Sequence, residues 1–133
     1  MSKEERWKER FENFSKALLQ LDTALRQKKF SLLEQDGVIK RFEFTVELAW
    51  KTLQDILNER GYNITGPKPV IKQAFKDNII KDGQDWIDML EDRNKSAHLY
   101  DESKASDIFR NIQLHYFRLL ADFKNNTLKQ INE

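Results

Sequence analysis

An all-α fold, an up-and-down bundle of four long helices plus one short helix, is what the sequence predicts. Apolar residues recur at spacings of three and four along nearly the whole chain, the pattern of a buried helical stripe. "YNITGPKPV" (62–70) is the one clear connector, and no repeat, low-complexity tract or long linker breaks the pattern elsewhere. At 133 residues the chain has one domain's length and can bury a core without staples, so residues 1–133 are expected to form a single bundle.

The first helix is expected over about residues 3–28, where Trp7, Phe11, Phe14, Leu18, Leu21 and Leu25 share one stripe. Ser31 and Glu34 have capping-box spacing and can open a helix or a helical turn, a signal that Gly37 weakens. From Val38 a second helix carries Phe42, Val46, Ala49, Leu53 and Ile56 on one stripe and ends at Gly61, a natural C-cap. Phe44 and Leu48 lie about 200° away on that helix, so it is apolar on two faces. Either both faces are core, or one packs in the bundle and the other meets a second surface.

Gly66 and Pro67 interrupt the pattern, and proline suits a first helical turn, so the short third helix should run from about Pro67 to Ile79. Lys68, Lys72 and Lys76 repeat along it every fourth position, a stripe that is either a solvated face or a basic binding surface. "KDGQDW" (81–86) makes a turn, with Asp82 a candidate N-cap for a fourth helix over about 84–98. The fifth covers about 102–128 and buries Ile108, Ile112, Tyr116, Leu119 and Phe123; His115, beside Tyr116, reads as structural.

Composition removes several function classes. The chain has no cysteine, hence no disulfide, thiolate metal site or cysteine nucleophile, and its two histidines argue against a His-rich metal site. No metal or other cofactor is expected. Lys plus Arg (23) nearly balances Asp plus Glu (22), so there is no global basic excess, and any RNA contact must use a local patch. No run approaches the length of a membrane span and "MSKEERWKER" lacks a signal peptide's apolar core, so a soluble, cytoplasmic protein without membrane contact is expected.

The chemically versatile residues gather in "DRNKSAHLYDE" (92–102), which holds Arg93, Asn94, His98 and Tyr100. On a helical wheel Trp86, Leu90 and Ala97 cluster within about 40°, with Asp85, Asp88, Asp92 and Lys95 opposite, and Arg93 falls inside the apolar cluster. A guanidinium is always charged and costly to bury unpaired, so Arg93 needs a partner or an opening to solvent. Two readings stand: an internal ion pair with Glu43 or Glu47, or a cleft position where its planar fork recognises phosphate. His98 lies about 140° round the helix and about 7.5 Å along it from Arg93, so the two do not converge on one regular helix. They share a site only if the helix ends and the chain turns, or if a two-fold dimer brings the patch in twice. By itself, His98 near a helix end reads as a capping or surface residue as readily as a catalyst.

"RNKSAHLY" (93–100), an Arg, four residues, a His, one residue and a Tyr, resembles the signature of HEPN-domain ribonuclease toxins of the HepT kind. Three ordered blocks, "DGVIKRFEFTVELAWKTLQDIL" (36–57), "GPKPVIKQAFKDNII" (66–80) and "WIDMLEDRNKSAHLYDE" (86–102), resemble bacterial nucleotidyltransferase substrate-binding proteins, which are HEPN proteins. The resemblance spans about residues 5–125. It implies a HEPN-like bundle that forms a homodimer with both motifs in one cleft, and a minimal nucleotidyltransferase partner acting as antitoxin. It also implies that this partner transfers AMP from ATP to the motif tyrosine. Carried over by position, Arg93 and His98 would be the ribonuclease pair, Asn94 the supporting polar neighbour and Tyr100 the AMP acceptor. Outside the motif's carry-over, the binding reading of the lysine stripe makes Lys68, Lys72 and Lys76, together with Lys95, the RNA-binding lysines, with tRNA and mRNA the candidate substrates.

The expected function is thus a metal-independent RNA endonuclease. Histidine titrates near neutrality and serves as acid or base, and arginine stabilises the charge that builds on phosphate. The competing expectation is a non-catalytic substrate-binding or adaptor subunit of a nucleotidyltransferase complex, with Arg93 and His98 as ligand-binding groups. A third is a purely structural helical dimer.

Overall fold

The computed structural model describes residues 1–96 and 101–132. The elements are α1 (Lys3–Leu25), α2 (Leu32–Glu59), α3 (Pro67–Lys76), α4 (Gly83–Lys95), α5 (Glu102–Asn111), a π turn (Ile112–Tyr116) and α6 (Phe117–Ile131). The last three form one long rod, so the expected bundle of four long helices and one short helix stands, and no strand occurs among the described residues.

Helix ends fall where backbone groups find partners. Ser31 and Glu34 do form a capping box, which starts α2 at Leu32 rather than Val38. Gly37 is carried inside the helix on an open face, where an added Cβ would meet nothing within 4 Å. At the other end Gly61 has φ 97°, and the Gly61 and Tyr62 amides donate to the Asn58 and Leu57 carbonyls, closing a Schellman motif. Asn78, with φ 60°, plays the same part for α3: the Asn78 and Ile79 amides donate to Phe75 and Ala74. That cap ends α3 at Lys76, short of the expected Ile79, because asparagine tolerates the left-handed conformation. α1 likewise stops at Leu25, where its apolar stripe ends. Asp82 occupies the N-cap position of α4 but makes no side-chain cap bond. Asp101, not singled out by its sequence, caps α5 by accepting from the Ser103 and Lys104 amides.

α1 and α2 form an antiparallel pair, tied at one end by the Trp7 indole donating to Glu59 (2.7 Å) and further along by Arg41 donating to Gln20 (3.0 Å). α3 packs against α2 and α4, and α4 meets both α2 and the C-terminal rod, around a core that includes Phe14, Phe42, Leu53, Ile71, Met89 and Leu120. Phe123 is the aromatic hub: its ring lies 5.3 Å from Phe14, 6.4 Å from Phe11 and 5.7 Å from Trp86, the last two edge-on. One α6 side chain thereby joins α1 and α4. Phe42 stacks on Tyr116 at 5.6 Å with a 15° interplanar angle, joining α2 to the π turn.

The π turn alters the expected C-terminal stripe. Its wide turn is followed by buried positions at successive spacings of four, Ile112, Tyr116 and Leu120, so Leu120 is fully buried and Leu119 only half-buried. His115 is exposed, contrary to its structural reading, because the stripe runs through its neighbour Tyr116. No helix of the described residues is long and apolar enough to cross a membrane.

Candidate functional site

The last turn of α4 brings Arg93 and Ser96 against the middle of α2. Arg93 lies on the bundle side of the helix, as its wheel position required, and its side chain keeps 33% exposure. The Arg93 Nη2 atom is 3.5 Å from Glu47 Oε2, so of the two acids expected for it, Glu47 makes the ion pair. Arg93 Nε is shielded from solvent and has no hydrogen-bond partner among the described residues. The guanidinium therefore touches one shared acid while one edge still faces water.

Glu47 is held from three directions. The Trp50 indole donates to Oε2 at 3.0 Å, and Lys51 stands 3.3 Å from Oε1. Partial burial pushes this carboxyl up, but the hydrogen bonds from Trp50 and Lys51, with the charges of Lys51 and Arg93, outweigh it and hold Glu47 below its ordinary value. It is an anion near neutrality.

Glu43, one turn earlier on α2, takes a different partner. The Ser96 hydroxyl lies 2.6 Å from Glu43 Oε1 and 2.5 Å from the Arg93 carbonyl, and Lys40 approaches Glu43 Oε2 at 3.6 Å. Ser96 is buried. It has one proton to give, and a carboxylate is the stronger acceptor. Phe44, between these acids in sequence, is 56% exposed and Leu48 half-buried, so the second apolar face of α2 is not core along its whole length.

On the other side α4 is tied to the C-terminal rod. Asp92 was expected on the solvent side, yet it is half-buried. The Tyr116 hydroxyl donates to its Oδ2 at 2.6 Å and the Asn111 amide to the same oxygen at 3.0 Å. Burial, then the hydrogen bond to Asp92 and the charges of Asp92, Asp88 and Asp85, raise the Tyr116 hydroxyl far above the phenol range, so it stays a proton donor. Nothing local in the sequence marks Asp92 or Ser96, because their partners come from other helices.

Asn94 and Lys95 are exposed at the end of α4. Lys68, Lys72 and Lys76 are all exposed on α3, and Lys68 reaches Glu91 of α4 at 3.9 Å, which links the basic stripe to the helix that carries Arg93. His98 and Tyr100 lie outside the described residues; α4 ends at Lys95 with Ser96 as its C-cap, short of the expected 98. Among the described residues, no group of His, Asp and Glu has the arrangement of a metal site.

Three comparisons with known proteins find relatives of this chain. Residues 9–130 match the family model described as nucleotidyltransferase substrate binding protein like. A probable ribonuclease HepT from Haemophilus influenzae is 29% identical over 102 residues, which span 73% of this chain and 68% of that protein. A crystal structure of a Thermus thermophilus protein superposes with a TM-score of 0.76 at 31% identity, covering 90% of this chain and 99% of that one.

Proposed function

The chain belongs to the nucleotidyltransferase substrate-binding protein-like family as a HepT-like HEPN protein, and on that premise we propose that it is an RNA endonuclease toxin. The observation that carries this reading is Arg93: a guanidinium on the bundle side of α4, one-third exposed, resting on an acid it shares with Trp50 and Lys51. A phosphate offers that fork a bidentate partner that Glu47, at 3.5 Å, does not.

Cleavage proceeds without a metal ion. The 2′-hydroxyl loses its proton to one imidazole as its oxygen attacks the adjacent phosphorus. The bond from phosphorus to O5′ breaks, and O5′ takes a proton from an acid, leaving a 2′,3′-cyclic phosphate and a 5′-hydroxyl. Arg93 stabilises the extra charge on the phosphorane oxygens, and His98 supplies the proton transfer, its two copies in a homodimer dividing the base and acid roles. Asn94 supports the arginine, and Lys68, Lys72, Lys76 and Lys95 guide the RNA strand.

A minimal nucleotidyltransferase is the partner and antitoxin. AMP on Tyr100 adds a negative phosphate and a bulky nucleoside two residues from His98, blocking RNA by charge and by volume. Expression alone is expected to arrest growth, and co-expression with the nucleotidyltransferase to relieve it with an added AMP mass that disappears in Tyr100→Phe. Harmless expression of unmodified protein would return the chain to the binding role its family is named for. AMP that persists in Tyr100→Phe would place the acceptor elsewhere.

A further inference from the structure

Asn111 and Tyr116 are five residues apart. On a regular α-helix they would stand about 140° from each other and could not reach one acceptor. The π turn between them, in which the Phe117 amide donates to the Ile112 carbonyl, changes that. Both side chains now point to α4 and meet on a single oxygen, Oδ2 of Asp92, at 3.0 and 2.6 Å. Asp92 directly precedes Arg93, and the turn they share is held on its other side by Glu43 and Glu47.

We propose that Asp92, gripped by Tyr116 and Asn111 across the π turn, is a positioning residue that fixes where Arg93 stands. The inference rests on Arg93 being the phosphate-binding group of the proposed ribonuclease site. Asp92 does not touch RNA. Its carboxylate locks the rotation of the last turn of α4, so that Arg93 faces Glu47 of α2 while part of its side chain stays open to solvent. Without the tie, the polar side-chain contacts that remain to orient this turn among the described residues are those to Glu43 and Glu47, beside the packing of Met89 and Leu90, and a small displacement of a group that stabilises a transition state slows the reaction out of proportion to any loss of binding.

The test uses the full chain and the variants Tyr116→Phe, Asp92→Ala and Asp92→Asn. Tyr116→Phe keeps the ring stacked on Phe42, so the core is preserved. Asp92→Asn retains a carbonyl oxygen able to accept from both donors, which need only one. The readouts are the Arg93 Nε–H resonance, assigned through Arg93→Lys, together with single-turnover cleavage at saturating RNA and RNA affinity. In Tyr116→Phe and Asp92→Ala the resonance is expected to move or broaden. Cleavage slows about tenfold or more while Kd stays within about twofold. Asp92→Asn recovers most of both. An Arg93 resonance that is the same in all variants would overturn the proposal, as would Asp92→Asn behaving like Asp92→Ala. If the wild type does not cleave RNA, the ribonuclease reading fails by itself, and the Arg93 resonance alone decides whether Asp92 positions it.

Discussion

The Ser96 hydroxyl sits 2.6 Å from Glu43 Oε1, so the residue that ends α4 is bonded to the middle of α2, 53 positions earlier in the chain. α4 is thus tied to α2 through Ser96 and Arg93 and accepts hydrogen bonds from the C-terminal rod through Asp92. Ser96→Ala would leave a carboxylate oxygen at the edge of the core without its donor. The expected cost is about 1–3 kcal/mol in urea unfolding, the range for leaving a buried polar group without its partner. A change within error would mean that Glu43 finds water equally well.

Arg93→Ala should separate function from stability. Both members of the Arg93–Glu47 pair are about one-third exposed, so its contribution to stability is below about 1 kcal/mol, whereas loss of the phosphate-binding charge should slow cleavage about a hundredfold or more. A marked fall in melting temperature with cleavage intact would identify a structural ion pair instead.

The same pair has a pH signature. The folded value of Glu47 lies below its ordinary 4.5, so its stabilising contribution is present above that value and is lost as pH falls through the folded value. Discounted for solvent screening, Glu47→Gln should cost about 0.5 kcal/mol near neutrality, and the gap to wild type should close as pH falls below the ordinary glutamate value and through the lowered folded one. A gap that widens with acidification would contradict this assignment.

Reversing Lys68, Lys72 and Lys76 to glutamate is expected to weaken RNA binding and to flatten its salt dependence by about 0.7 in logarithmic slope for each lysine that meets a phosphate. Affinity indifferent to both changes would make the α3 stripe a solvated face.

The helices and most of their starts were legible because their determinants are local, whereas α1, α3 and α4 end three residues before the expected positions and the C-terminal rod three residues beyond its own. Ser31 with Glu34 and Gly61 signal caps by short-range chemistry, and the spacings through Phe11, Phe42 and Phe123 carry the period of a helix. Arg93 was legible as an anomaly, a charge inside an apolar stripe, and both acids proposed for it do sit beside its turn. The wheel misplaced Asp92 since it knows only one helix, while the donors that draw this carboxylate inward come from residues 19 and 24 positions later. The π turn has no composition signal. Its one trace is the pair of four-residue steps from Ile112 to Leu120, which a regular helix also permits. His98 and Tyr100 rest on the family motif.

The measurement that bears most directly on the central claim is cleavage of a labelled tRNA pool in EDTA by wild-type protein and His98→Ala, with the protein shown by intact mass to carry no AMP. The account predicts cutting by the wild type alone, leaving 2′,3′-cyclic phosphate and 5′-hydroxyl ends. No cutting by either protein, or equal cutting by both, would contradict it.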